Sequence, residues 1–80
     1  SMVDRIPTEI QTVDNTIYTI LEATVTTGDT ITVNGIKTIA RVVIGQLLGG
    51  TDVSASTSTN VITITESSLT NQEVVMIVWE

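Results

Sequence analysis

Val74-Val75-Met76-Ile77-Val78-Trp79, closed by Glu80, is the most apolar run of this chain and constrains its fold more than any other feature. A strand this hydrophobic would template aggregation if it lay bare at a sheet edge. It must therefore be paired on both sides, or covered by another sheet or another subunit. The chain is expected to be a β-protein whose last strand is structural, and assembly is a natural corollary.

Several other segments carry a period of two. In residues 16–27, Ile17, Thr19, Leu21, Ala23 and Val25 share one face, and Tyr18, Ile20, Glu22, Thr24 and Thr26 the other. That alternation predicts a strand with one buried face. Gly28-Asp29 turns the chain, and Thr30 to Val33 form a short alternating strand. Asn34-Gly35 then suits a type I′ hairpin, which needs φ > 0 at both central positions. Its return strand would start at Ile36.

Residues 36–48 fit two templates. Ile36, Ile39, Ala40, Val43, Ile44 and Leu47 match a helical stripe. Against a helix stand the β-branched run Val42-Val43-Ile44 and Gly45, the latter costing a helix roughly 1 kcal/mol relative to Ala. A long strand bent or bulged near Gly45 is favoured. Val53, Ala55 and Thr57 then alternate with serines, Ser58-Thr59-Asn60 turns the chain, and Val61 to Thr65 alternate with Ile62 and Ile64 inward. Glu66 to Glu73 form a polar connection.

Six or so strands at intervals of roughly 8–12 residues predict a small, single-domain antiparallel β-sandwich or barrel, Ig-like or jelly-roll-like. Residues 1–15 are read as an extended N-terminal arm and 16–80 as the β domain. Pro7 keeps Ile6 extended. The arm is either a loosely attached terminus or a segment that lies on a neighbouring subunit through Ile6 and Ile10. Ser1 before Met2 reads as a cloning remnant, with Met2 the native start.

Size and composition narrow the function. A chain of 80 residues supports only a marginal core and usually needs a staple. Cysteine and histidine are both absent, which removes disulfides and thiolate or imidazole metal sites. Oligomerisation is the staple that remains. Hydrophobic residues reach 41%, almost all aliphatic, and 16 Thr add to the β-branched load that suits pleated sheets. The net charge of −6, with only Arg5, Lys37 and Arg41 positive, argues against binding phosphate backbones or anionic membranes. No apolar run approaches the roughly 20 residues needed to span a bilayer, and no signal-peptide layout is present.

Catalytic constellations are hard to assemble from these residues. A serine nucleophile needs a base, and the only candidate is Lys37, which reads better as a solvated side chain guarding a ribbon from aggregation. Asp14, Glu22, Asp29, Asp52, Glu66, Glu73 and Glu80 are scattered over turns and polar faces, without the cleft and aromatic platforms that glycoside hydrolysis uses. Asp29 and Asp52 could contribute to a calcium site, although neither lies in an EF-hand loop and turn chemistry explains both. The glycines match no phosphate-cradling loop. A lone Trp79 in an apolar strand belongs to a core or an interface more readily than to a ligand platform.

One resemblance adds to this reading. Thr27-Gly28-Asp29-Thr30-Ile31-Thr32-Val33-Asn34-Gly35-Ile36 leads into Thr38-Ile39 and the apolar run from Val42. Thr57-Ser58-Thr59-Asn60-Val61-Ile62-Thr63-Ile64-Thr65 and the strand Val74 to Trp79 follow. This order resembles small β-sandwich virion proteins of tailed phages and related viruses, over about residues 24–80. Thr59 stands where such proteins often have Gly, and Trp79-Glu80 replaces a small terminal residue. The resemblance implies a non-enzymatic head-decoration, cement or other minor virion protein, made in the host cytoplasm. It would act by homo-oligomerisation, as a trimer, and by docking on the major capsid protein or another virion protein. The alternative is a small protein-binding or adhesion accessory module that recruits a partner by strand addition. Neither role calls for a cofactor, nucleic acid or membrane. The candidate interface residues are Ile6, Ile10, Tyr18, Val78 and Trp79, with Asn34 and Gly35 as the hairpin turn.

Overall fold

A computed structural model describes residues 3–13 and 18–80. Its strands are β1 (Asp4–Arg5), β2 (Thr8–Val13), β3 (Tyr18–Val25), β4 (Thr30–Thr32), β5 (Arg41–Gln46), β6 (Ala55–Ser58), β7 (Val61–Ile64) and β8 (Gln72–Trp79). They form two four-stranded sheets, ordered β1-β4-β7-β6 and β2-β3-β8-β5. The inner faces pack together as an all-β sandwich. Every strand pair is antiparallel except β1 with β4.

Alternation builds the core. Leu21 and Val25 of β3, Ile44 of β5 and Val74, Met76 and Val78 of β8 point inward, meeting Ile31, Ile62 and Ile64 of the first sheet. Val33, Ile36, Ile39, Val53 and Leu69 plug the core from the connecting loops. Strand β8 is central to the second sheet, paired with β3 over its whole length and with β5 from Val74 to Trp79. The apolar terminal run is thus flanked on both sides.

Two strands beyond the expected six come from the arm. β1 joins the first sheet and β2 the second, so the chain crosses between sheets at Ile6-Pro7. Proline has no N–H for either ladder, which makes Pro7 a natural crossing point. A bulge lies in β2, where the register shifts between Glu9 and Gln11.

The region after β4 corrects the sequence reading. Asn34-Gly35 forms a turn, but β4 pairs with β7 and β1, not with a return strand from Ile36. Gly35 has φ +91° while Asn34 is not in the positive-φ region, the pattern of a type II turn rather than type I′. Residues 33–40 instead carry the chain from the first sheet to the second, and the strand itself runs only from Arg41 to Gln46. Ile36 and Ile39, which suggested a helical stripe, are buried as core plugs. Gly45 sits in continuous register opposite Val75, without a bulge. The tight hairpin of the first sheet is β6–β7, closed by Thr59-Asn60.

Candidate interaction surface

Because strands show alternate residues to opposite faces, β8 presents Glu73, Val75, Ile77 and Trp79 on the outside of the second sheet. Strand β3 adds Tyr18, Ile20, Glu22 and Thr24, and β5 adds Arg41, Val43 and Gly45. The registers align these side chains into rows across the strands: Tyr18–Trp79–Arg41, Ile20–Ile77–Val43, then Glu22–Val75–Gly45. Thr24 and Glu73 form a fourth row. Leu47 continues β5 into that row by donating its N–H to the Glu73 carbonyl at 3.1 Å.

The middle of this face is apolar. Ile20, Val75 and Ile77 are partly exposed and Val43 is 44% exposed. At one end the Tyr18 and Trp79 rings lie 5.8 Å apart at 42°. Arg41 completes the stack, its Cζ 4.1 Å from the Trp79 ring centroid, a cation–π geometry. No carboxylate among the described residues pairs with Arg41. Glu22 and Glu73 mark the other end. The face therefore runs from positive through apolar to negative.

Of the residues expected at an interface, Tyr18 and Trp79 meet here. Ile6 does not; it is 90% exposed at the crossing between sheets. The Ile10 side chain lies outside the described residues. Val78 is corrected outright: it is fully buried between the sheets, one residue out of phase with the exposed face. Ile20, Val43, Val75 and Ile77 were missed, although the odd–even phase of β8 around Trp79 carried the signal for two of them.

A second polar feature lies across the sandwich. Asp29 is fully buried, and its Oδ2 accepts hydrogen bonds from Arg5 Nε at 2.6 Å and Thr26 N–H at 2.8 Å. Oδ1 has no partner among the described residues. Burial pushes the carboxyl up, but Arg5 and the N–H groups of Thr26 and Val3 outweigh it and hold the group below its ordinary 3.8. Asp29 thus ties the arm to the loop before β4 as an ion-pair anchor. Asp52 is exposed, and no three acidic side chains converge as metal ligands would among the described residues.

An open cleft of about 480 Å³ runs along the arm, bounded by Asp4, Arg5, Glu22, Leu47 and Glu73. Two other acids also do structural work. Glu66 Oε1 accepts the Ser54 N–H at 2.9 Å, and Glu80 Oε2 accepts the Lys37 N–H at 3.0 Å. No family model matches the sequence, and no curated protein or solved structure matches it either.

Proposed function

We propose that this protein is a non-enzymatic structural component of a virion, a capsid decoration or cement protein that self-associates and docks on a protein lattice. The observation that carries a docking role is the outer face of the second sheet. It gathers Tyr18, Trp79 and an aliphatic middle on the sheet's central strands. Aromatic side chains paired with arginine are the anchors that protein interfaces favour. The viral setting is supported by the likeness of residues 24–80 to phage β-sandwich proteins. The acidic balance supports a protein partner over nucleic acid or an anionic membrane.

The test is attachment. In the virus whose genome carries the gene, the coding sequence should sit among capsid and portal genes, and the protein should co-sediment with purified particles. Trp79→Ala should weaken that attachment by about 2 kcal/mol, some 30-fold in affinity, while circular dichroism shows the sandwich intact. Genes for cell-wall proteins as neighbours, with no protein in the particles, would favour the adhesion-type module instead.

A further inference from the structure

We infer that the outer face of the second sheet pairs with the same face of a second copy, about a two-fold axis that runs across the strands. This rests on the docking reading of that surface: free in solution the face is covered by a second copy, which a particle would displace. The face is complementary to itself. A two-fold contact joins one patch to itself, so the patch must match its own inverted image.

An axis across the strands, midway along the face, reverses strand direction and keeps each strand opposite its own copy. The first row then meets the fourth, and the second meets the third. Trp79 then comes over the partner copy's Glu73, and Arg41 over its Leu47, one strand away from that carboxylate, which joins the positive end of each copy to the negative end of the other. In the middle, Ile77 meets Val75 and, on the neighbouring strand, Ile20 meets Glu22. Val43, the most exposed apolar side chain of the three strands at 44%, meets Gly45. Gly45 has no side chain, and a Cβ there would meet only the Thr51 carbonyl, at 3.8 Å. It leaves a notch where its copy needs one.

The alternative axis, along the strands, preserves the rows. It would set Glu73 over Glu73 and leave Arg41 without a carboxylate, on a chain already at −6. Like charges in contact oppose association, so the first axis is selected. The rows span roughly 20 Å along the strands, a footprint at the small end of specific interfaces. The dimer should be reversible, with a micromolar dissociation constant. A sheet-face contact of this kind closes at two copies, in place of the three that the phage resemblance implies.

Charge reversal in trans provides the test. Arg41 and Glu73 of one chain stand six residues apart along β8's register, roughly 20 Å, too far to interact within a copy. Sedimentation equilibrium of the purified chain should give twice 8.5 kDa at tens of micromolar. Arg41→Glu and Glu73→Arg should each weaken the dimer at least tenfold, and the double reversal should restore it to within about threefold. Gly45→Val should also weaken it tenfold or more without lowering the melting temperature, because valine suits a strand better than glycine while filling the notch. Molar salt should weaken the wild-type dimer by screening the end pairs.

A monomer at all concentrations, a trimer, or a double reversal that fails to restore pairing would overturn the inference. The docking reading stands or falls separately. A monomer that still attaches to particles through Trp79 removes only the dimer, and a dimer that never attaches removes only the docking.

Discussion

Asp29 shows how one side chain can hold a marginal domain together. Its carboxylate has no exposed surface, so removing Arg5 would leave a buried charge with only N–H donors. Breaking such a pair typically costs about 3–5 kcal/mol. Arg5 keeps 32% of its side-chain exposed, so water can replace part of the guanidinium and the lower end applies. Arg5→Met should cost about 3 kcal/mol at pH 7 in urea denaturation. The sign with pH follows from the direction of the shift. The folded carboxyl titrates below its ordinary 3.8, so as pH falls the unfolded chain takes up the proton first. The pair's contribution is complete above that range and fades as pH drops through and below it. The cost of Arg5→Met should therefore shrink below pH 4; a cost that stayed constant down to pH 2 would mean the pair is not what anchors the arm.

At the level of elements, strand existence was legible and strand partnership was not. The alternation read in residues 16–27 and in Val61 to Thr65 survives in β3 and β7, since a buried face leaves a period of two in the residues, while the continuous apolar run Val74 to Trp79 forms most of β8. Asn34-Gly35 misled because its glycine signals φ > 0 without saying which turn uses it. The β6–β7 turn lies where Ser58-Thr59-Asn60 was expected to reverse the chain, although its β-branched Thr59 adopts φ 55°. Its position is over-determined: the Thr59 carbonyl accepts the Ile39 N–H at 2.8 Å, and the Asn60 carbonyl accepts the Val33 N–H at 2.9 Å. The left-handed conformation costs such a residue roughly 1–2 kcal/mol. Glycine would relieve that, offset by roughly 0.5–1 kcal/mol of extra unfolded-chain freedom. Thr59→Gly should stabilise the protein by about 0.5–1 kcal/mol and leave both backbone bonds in place. A lower melting temperature would place the strain elsewhere.

For the whole molecule, the two ends of the chain carry unequal weight. The apolar character of residues 74–79 showed that the last strand must be flanked, and β8 lies between β3 and β5. The outer apolar face was only half legible, because rows across strands depend on register, and register is a property of the assembled sheet. The arm was less legible still: its residues 4–5 and 8–13 join different sheets, and Pro7 alone marks the crossing without saying which sheet either piece joins. These positions lead to opposite outcomes on truncation. Removing residues 1–7 takes away β1 and the Arg5 anchor but leaves every core plug and both central strands. It should yield a folded, less stable protein, with β4 bare at an edge and more prone to associate through it. Removing residues 74–80 instead takes Val74, Met76 and Val78 from the core and leaves β3 and β5 with no strand between them. Only the β2–β3 pair of the second sheet would survive, too little to cover the first sheet, so this chain should show no cooperative melting transition and should be insoluble. Circular dichroism melts of the two truncations side by side decide the matter. A C-terminal truncation that still melted cooperatively would show that the strand is an addition to the sandwich rather than its centre, and the interaction face built on it would lose its foundation.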